Sequence, residues 1–207
     1  MAIIWPCPLS PSSYAAVGQR VAVPTQACPG CRRPLTGWGG YWRWVRAEGA
    51  EGAEGVAEQR IWIRRGWCGH CRRTQALLPS FLFTRRLDAG AVIGTALTLA
   101  AAGSGARPIA RQLAVPHTTV RDWWRRVRAR APTLLASLLA LALRLDAAPV
   151  DLRMDRAAAV LEALAAAWER AQQRLADRTP DRWAFWSLVS GGLALAPHTP
   201  PPLPGGP

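Results

Sequence analysis

The sequence of 207 residues contains no lysine, so its 26 basic side chains other than histidine are all arginines. A missing lysine is typical of a GC-rich genome and by itself indicates no function. Long apolar runs are missing too: the most apolar stretch, Leu134–Leu145, contains Ser137 and Arg144 and is too short to span a bilayer. Met1–Pro6 has neither a basic leader nor a long apolar core, which excludes a secretory signal there. We therefore expect a cytoplasmic protein with no membrane partner.

The positive charge is concentrated in the first 131 residues. Residues 1–86 have 12 arginines and 4 acidic residues, residues 87–131 have 7 and 2, and residues 132–207 have 7 of each. A basic N-terminal part joined to a neutral part is typical of a module that binds a polyanion and carries a separate interaction segment. The alternative is a protein with basic surfaces that serve only solubility.

Four of the five cysteines form two pairs with metal-ligand spacing, namely Cys28, Cys31, Cys68 and Cys71. Two residues between paired cysteines allow one tight turn to direct both sulfurs at one ion, and Zn²⁺ prefers four such ligands in a tetrahedron. The pattern predicts one structural Zn²⁺ in a zinc ribbon, because four protein ligands leave no open position for catalysis. A redox pair is the alternative, but neither pair has the βαβ context of thioredoxin-like proteins. His70 could replace Cys71 with poorer spacing, and Cys7 has no paired cysteine.

Two strands are predicted between the cysteine pairs. Tyr41–Arg46 and Arg60–Arg64 are rich in aromatic and β-branched residues, as half-buried strands are. The acidic repeat between them, Ala47–Gln59, predicts a long, flexible, solvated hairpin tip. Residues 1–26 have no strong periodicity and are predicted to be irregular.

Helical periodicity begins at residue 87. We expect a first helix from about Asp88, acting as N-cap, to Ala102, then a short helix from about Arg107 to Ala114. A longer helix follows to about Arg130, and Pro132 is expected to break it or to start the next one, Thr133–Leu145. The fold class is therefore α+β: a small zinc-ribbon hairpin module followed by a mainly α domain and C-terminal helices.

The segment from Ile109 to Val127 has the pattern of a helix-turn-helix. Ile109, Ala110 and Leu113 face inward in its first helix, and the second helix has one apolar stripe, formed by Val120, Trp123, Trp124 and Val127. The opposite, polar face fits the major groove of double-stranded DNA. The predicted base contacts are His117, Thr118, Thr119, Arg121 and Asp122. The predicted phosphate contacts are Arg107, Arg111, Arg125, Arg126, Arg128 and Arg130, to which the ribbon would add Arg43, Arg46, Arg64 and Arg65. An ordinary helical bundle with a solvated basic face is the alternative.

The C-terminal third predicts two more helices. The first, from about Asp151 to Arg178, has a heptad-like seam formed by Met154, Ala157, Leu161, Leu164, Trp168, Ala171 and Leu175. This seam either pairs two subunits as a homodimer or packs on the Leu134–Leu145 helix within one chain. Thr179–Pro180 predicts the start of a short Trp-rich helix, and the proline-rich end predicts disorder. The predicted divisions are an irregular segment (1–26), the zinc ribbon (27–75), the helix-turn-helix domain (76–131), a helical region (132–192) and a disordered tail (193–207).

The ribbon, the apolar link Ala76–Leu82 and the helix-turn-helix together resemble a bacterial family of small zinc-ribbon/helix-turn-helix proteins. That family is similar to the DNA-binding N-terminal parts of insertion-sequence transposases, and the resemblance covers residues 28–131. It implies sequence-specific binding to duplex DNA, with transposon ends as one candidate target, and we expect the cytoplasmic protein to associate with the nucleoid. The chain departs from the pattern at Pro116, where Ser or Thr usually caps the second helix, at Ala114, where glycine is usual, and in its expanded hairpin tip.

Sequence motifs of catalysis are missing. A transposase of the three-carboxylate type needs a mixed sheet to hold two metal ions, but the 77 residues after Arg130 have no strand pattern. No HExxH, phosphate-binding glycine loop or Ser/His/Asp arrangement is present. We therefore expect a DNA-binding regulator or a transposase-derived targeting module rather than an enzyme. The alternatives are a recombinase component with unrecognised catalysis and a protein-binding zinc-ribbon adaptor.

Overall fold

The computed structural model describes residues 2–48, 55–152 and 155–196, except the side chain of Asp177. It is a mixed α+β fold with a four-stranded sheet, a short α-helix between the first two strands, and five α-helices after the sheet. In chain order its elements are β1 (Ala2–Trp5), α1 (Pro11–Val17), β2 (Thr36–Glu48), β3 (Val56–Cys68), β4 (Arg73–Pro79), α2 (Gly90–Ala101), α3 (Ala106–Gln112), α4 (His117–Leu145), α5 (Arg156–Leu175) and α6 (Arg182–Val189).

The sheet has the order β1-β4-β3-β2, and β2 and β3 form a long antiparallel hairpin. Both predicted strands are confirmed as parts of β2 and β3. Alternate residues on one face of the hairpin are buried, among them Val45, Ile61 and Ile63, each at most 1% exposed. Successive side chains of a strand point to opposite faces, and on the other face of the hairpin Trp42 and Trp44 are exposed, whereas Trp62 and Arg64 are partly buried.

The N-terminal segment is ordered, and the prediction of an irregular 1–26 is wrong. β1 pairs in parallel with β4, with Trp5 opposite Pro79. Trp5 and Tyr14 of α1 are 2% and 0% exposed, and their burial against the sheet stabilises the segment. The predicted link Ala76–Leu82 is likewise in error, because its first part belongs to β4, which lies between β1 and β3.

The hairpin tip is shorter than predicted. Glu48 pairs with Val56, and the Gln59 side-chain amide donates a hydrogen bond to the Glu48 carbonyl at 3.0 Å. The paired strands therefore include both ends of the predicted tip Ala47–Gln59. Residues 49–54, the rest of that prediction, lie outside the described residues.

The helix α2 begins later than predicted, and Asp88 is not its N-cap. The N-cap is Ala89, which makes no side-chain capping bond. Asp88 instead forms a buried ion pair with Arg46 of β2, at 2.7 Å between Arg46 Nε and an Asp88 carboxylate oxygen. A charge taken out of water needs a partner, so the carboxylate is directed to the guanidinium rather than to the helix N–H groups.

The helix α4 runs unbroken through Pro132, so the predicted break and the boundary between residues 131 and 132 are wrong. An internal proline removes one backbone hydrogen bond and costs about 3 kcal/mol. Here the cost is offset by the inner face of the helix, where Val127, Ala131, Leu134 and Leu138 are at most 3% exposed. One core cluster contains residues from both sides of the predicted boundary.

The helix α5 packs on the C-terminal half of α4 within the same chain. Val160, Ala163, Leu164 and Ala167 are all completely buried and belong to the same core cluster as Leu138 of α4. The chain itself covers part of the predicted heptad-like seam: Ala157, Leu164 and Ala171 are at most 3% exposed, whereas Leu161 and Trp168 are partly buried. At its ends, Leu175 is 51% exposed and Met154 lies outside the described residues.

The C-terminal helix begins at Arg182, two residues after the predicted start. Asp181 is its N-cap and accepts hydrogen bonds from the backbone N–H groups of Trp183 and Ala184, so the predicted Thr179–Pro180 start is wrong. The prediction of a disordered 193–207 is also wrong for residues 193–196, because Ala194, Leu195 and Ala196 are buried. Residues 197–207 lie outside the described residues.

Within residues 2–48, 55–152 and 155–196, no helix combines the length and the apolar character that a bilayer crossing requires.

Close packing of α2 on α6 makes Gly94 sensitive to a single added methyl group. A Cβ at Gly94 would lie 2.0 Å from the Trp183 ring. Gly94→Ala is therefore expected to destabilise the protein by about 1–3 kcal/mol through overpacking, although alanine ordinarily stabilises a helix interior relative to glycine by about 1 kcal/mol. Urea unfolding measures the effect. In the control Gly37→Ala the new Cβ meets nothing within 4 Å, and equal stabilities of the two variants would contradict the prediction.

Candidate functional site

Four cysteines converge at the end of the hairpin that lies opposite the tip. Their sulfurs all lie within 4.8 Å of one another. Cys28 Sγ lies 3.8 Å from Cys71 Sγ, and Cys31 Sγ lies 3.4 Å from Cys68 Sγ. All four are free thiols rather than disulfides. The structure thus brings together the predicted set of metal-ligating residues, and the cluster could hold a metal ion.

Each pair of cysteines lies on a tight turn whose backbone is fixed by hydrogen bonds. In the first turn, the Arg32 N–H donates to the Cys28 carbonyl and the Cys28 N–H donates to the Arg33 carbonyl, both at 2.8 Å. In the second, the Cys71 N–H donates to Cys68 Sγ at 3.3 Å. The residue after each second cysteine has a positive φ, 59° at Arg32 and 53° at Arg72. The two turns therefore share one geometry, which directs both sulfurs of each pair inward.

The thiols of the cluster differ in acidity. Hydrogen bonds from the backbone of Gly30 and Cys31 lower the pKa of Cys28 to about 7. A hydrogen bond with the Cys31 side chain, together with burial and the other neighbouring thiols, raises the pKa of Cys71 to about 12. Sulfurs this close cannot all ionise unless a cation offsets their charge. The donor set therefore suits a divalent metal.

His70 and Cys7 are not in the cluster. His70 is exposed on the second turn, and the group of ligand atoms within the described residues consists of the four cysteines. Cys7 lies in the sheet core, where its backbone N–H donates to Ser80 Oγ at 3.1 Å. Burial raises the pKa of Cys7 to about 11, which suppresses the reactive thiolate.

The second region of interest is the turn between α3 and α4. The Val115 N–H donates to the Ala110 carbonyl at 3.1 Å, and Ala114 has a φ of 51°. A positive φ is strained for alanine, which agrees with the expectation that this residue replaces a glycine. Val115 is 6% exposed and fills the space between the two helices. A tight turn thus joins α3 to the N-terminus of α4.

The first turns of α4 separate a buried stripe from an exposed polar face. Val120, Trp123 and Val127 are at most 2% exposed, and Trp124 packs partly buried against them. The residues on the opposite face that are exposed are His117, Thr118, Arg121, Arg125 and Arg128. Thr119 is half-buried. The N-cap Pro116 forms no side-chain capping bond, so the first N–H groups of α4 are not capped by that residue.

Asp122, one of the predicted base contacts, is held by arginines within the protein. Its carboxylate accepts hydrogen bonds from Arg125 at 2.5 Å and Arg126 at 2.6 Å, and Arg86 lies 3.7 Å away. Partial burial opposes ionisation of Asp122, but the hydrogen bonds from Arg126 and Arg125 outweigh it and lower its pKa. A carboxylate with three cationic neighbours organises their guanidinium groups.

Arg130, one of the predicted phosphate contacts, also has partners within the protein. Its guanidinium donates to the carbonyls of Leu193, Ala194 and Ala196 at 2.9–3.0 Å. These bonds hold the C-terminal segment against α4. Arg107 and Arg111 of α3 remain exposed and line an open cleft of about 720 Å³, together with Arg46 and His117.

Three of the four arginines that were predicted to add phosphate contacts from the ribbon are engaged within the protein. Arg46 pairs with Asp88, Arg64 donates to the Gln19 carbonyl, and Arg65 donates to Thr74 Oγ1. Arg43 is partly buried, and burial lowers its pKa. Sequence reasoning missed both the Arg46–Asp88 pair and the exposed aromatic face of the hairpin. The first joins residues 42 positions apart and leaves no local signal, whereas the alternation of Trp42, Arg43 and Trp44 could have indicated the second.

Comparisons of the chain with models of known families, with curated proteins and with solved structures found no match.

Proposed function

We propose that this chain is a sequence-specific double-stranded DNA-binding protein with a structural zinc ion, and that the N-terminal half of α4 is its major-groove recognition helix. The proposed role is that of a transcriptional regulator or a transposase-derived targeting module, with no catalytic residue. The observation that carries the proposal is the polar, arginine-bearing face of α4, which projects from a tight turn while the opposite face is anchored in the core.

The chemistry of that face suits DNA. Arg121, His117 and Thr118 are exposed on the first two turns of α4, the part of such a helix that reaches base edges in helix-turn-helix proteins. Arginine donates two parallel hydrogen bonds to guanine, which is the commonest specific contact in the major groove. Arg125 and Arg128 lie one and two turns farther along, where phosphates are the expected partners.

Further cationic groups surround the start of α4. Arg107 and Arg111 line the cleft beside His117, and the N-terminus of a long helix carries a partial positive charge that favours phosphate. Duplex DNA presents a dense row of phosphates, so cations placed beside a recognition helix hold it in register. Sequence would be read by the base contacts, and affinity would come mainly from the phosphate contacts.

Zinc is the proposed metal because of the ligand set. In a tetrahedral site with Zn–S bonds of about 2.3 Å, neighbouring sulfurs lie about 3.8 Å apart, close to the 3.4 and 3.8 Å separations in the cluster. When bound, the ion would hold the two turns together and supply no chemistry. Arg32, Arg33, Arg72 and Arg73, all exposed beside the turns, would offset the net charge of −2 on four thiolates and one Zn²⁺.

The proposal predicts that Arg121→Ala relaxes sequence preference. The expected loss on the selected site is about 1–3 kcal/mol of binding free energy, with a much smaller loss on random duplex. The site is first obtained by sequencing the genomic fragments that the zinc-loaded protein retains, and affinities are then compared by fluorescence anisotropy. Arg174→Ala, which removes an exposed arginine at the end of α5, is the matched control and should leave both affinities unchanged.

Three results would contradict the proposal. Equal losses of binding free energy on selected and random duplex would show that Arg121 does not contact bases. Absent or salt-insensitive binding would favour the protein-binding adaptor, because phosphate contacts make affinity fall steeply with salt. Metal-dependent strand cleavage would establish the recombinase alternative.

A further inference from the structure

The outer face of the β2–β3 hairpin carries a strip of aromatic and cationic side chains, which we call the hairpin strip: Trp42, Trp44 and Arg60, which are exposed, and Trp62 and Arg64, which are partly buried. Trp42 pairs with Trp62 across the hairpin, and Trp44 pairs with Arg60. Cross-strand partners share one face of a sheet, as do residues two apart on a strand. Trp44 is 58% and Trp42 is 39% exposed.

Trp42 is held in place by its neighbours. The Trp62 ring lies edge-on to it, with ring centroids 5.3 Å apart, and the Arg60 guanidinium lies 5.1 Å from the Trp42 centroid. The Trp62 ring in turn packs over Gly40, where an added Cβ would lie 2.6 Å from that ring. Trp44 extends from this fixed group with more than half of its surface in solvent. Exposed aromatic patches of this kind mark interaction sites rather than structural ones.

The charge of the hairpin strip selects a polyanion as its partner. The acidic residues in β2 and β3 are Glu48 and Glu58, and both lie toward the tip, beyond the Trp44–Arg60 pair. Arg60 is exposed, and Arg64 donates to the Gln19 carbonyl at 3.1 Å, which keeps its guanidinium at the edge of the strip. Aromatic rings are thus interleaved with guanidinium groups, and the nearest acidic side chain of the two strands on this face, Glu58, lies at the tip end of the strip, two residues from Arg60 and opposite Arg46.

Unpaired bases, whose flat sides are accessible, fit such a surface. Base–aromatic stacking needs access to the flat side of a base, which base pairing and stacking cover inside a duplex and which a single strand exposes. Residues two apart on a strand are about 6.8 Å apart, twice the spacing of about 3.4 Å between stacked nucleotides. That separation leaves room for one base between neighbouring rings, while arginines meet the phosphates.

We propose that the hairpin strip binds single-stranded DNA by stacking unpaired bases on Trp44 and Trp42, with Arg60 meeting the backbone phosphates. This surface shares no residue with the proposed duplex-binding face of α4. The choice of DNA over RNA rests on the proposed function, because a chain that binds duplex DNA meets single strands of the same polymer wherever the duplex opens.

The test is fluorescence anisotropy of a labelled 16-nucleotide oligo(dT) with the full-length, metal-loaded protein. Trp44→Ala is expected to weaken binding by about 5- to 150-fold, the affinity equivalent of about 1–3 kcal/mol for one stacked base. Trp44→Phe should retain most of the affinity, because phenylalanine keeps a stacking face. Leu143→Ala, which shortens an exposed apolar side chain on α4, is the matched control and should bind as the unmodified protein does.

Separate probes distinguish failure of this inference from failure of the proposed function. On the selected duplex, Trp44→Ala should bind normally and Arg121→Ala weakly, and on oligo(dT) the order should reverse. Unchanged oligo(dT) affinity in Trp44→Ala, an equal loss on both probes, or stronger binding of oligo(rU) than of oligo(dT) would each overturn the inference. So would a dimer that Trp44→Ala converts to a monomer without any loss of oligo(dT) binding, since the hairpin strip would then hold a second copy.

Discussion

Removal of the bound metal is expected to lower the melting temperature of the protein by about 10–20 °C. Structural zinc contributes about 10–16 kcal/mol in zinc-finger peptides, which are unfolded without it. The sheet has a core of its own, in which Trp5, Tyr14, Ile61 and Ile63 are buried. We therefore expect removal of the metal to cost the protein only part of that stabilisation. A loss of about 5 kcal/mol corresponds to the stated shift for a chain of this size.

Scanning calorimetry with and without a chelator measures the shift, and elemental analysis measures the metal content. One zinc ion per chain is expected, and Cys68→Ser should abolish tight binding. Cys7→Ala is the matched control, because Cys7 is a buried cysteine outside the cluster; it should keep the full metal content. Metal should also be released as the pH falls, since protonation of the thiolates competes with the ion. A reduced protein that takes up no zinc and melts unchanged in chelator would refute the metal centre.

Breaking the ion pair between Arg46 and Asp88 is expected to destabilise the protein by about 3–5 kcal/mol. The Asp88 side chain is 3% exposed, and Arg46 reaches it through two guanidinium nitrogens, at 2.7 and 3.1 Å. Arg46→Gln would leave a buried carboxylate without its closest cation. The pair also joins the sheet to the helices, because the backbone N–H of Ala89 donates to the Arg46 carbonyl at 2.8 Å.

The pH dependence of this loss has a definite sign. Burial raises the pKa of Asp88 despite the opposing effect of Arg46 and Arg86, so the folded protein holds this proton more tightly than the unfolded chain does. Protonated Asp88 needs no cation. The loss in Arg46→Gln should therefore be largest above the folded pKa of Asp88 and should shrink as the pH falls through it.

Urea unfolding of the single and double variants at neutral and acidic pH measures both effects. Adding Asp88→Asn to Arg46→Gln should recover part of the stability at neutral pH, because the unpaired charge is removed. Additive losses from the two substitutions, with no change on acidification, would show that the pair carries no coupling energy.

The parts of the fold that could be predicted from the sequence are those with a short-range signal. The cysteine pairs, the strands around Trp42 and Trp62 and the two faces of α4 follow from spacings of two to seven residues. The strand β1 could not be predicted in this way, because four residues are too few to show a period and their partner strand lies more than 70 residues away. The continuity of α4 through Pro132 depends on burial of its inner face, which only the packed helices reveal.

The candidate site likewise has contacts that the sequence predicts and contacts that it does not. The exposure of Arg121 and Arg125 followed from helical periodicity, and the pairing of Asp122 with Arg125 and Arg126 could have been predicted from their positions three and four residues farther along the same helix. The third neighbour of Asp122, Arg86, lies outside that helix and gave no such signal. Arg130 bonds to carbonyls more than 60 residues farther along the chain, and no pattern in the sequence encodes that contact.

The two ends of the described chain close the fold together, with a consequence for its synthesis. The Thr84 N–H donates to the Gly192 carbonyl at 2.9 Å, and a Cβ on Gly192 would lie 2.7 Å from Ile4. During synthesis β1 is made before β4, and this junction also needs the residues after α6. Contacts between residues so far apart in sequence slow folding, because a long loop must close before they form. Ile4 therefore lacks its cover from Gly192 until the segment after α6 has been made, and it is open to chaperones during that interval.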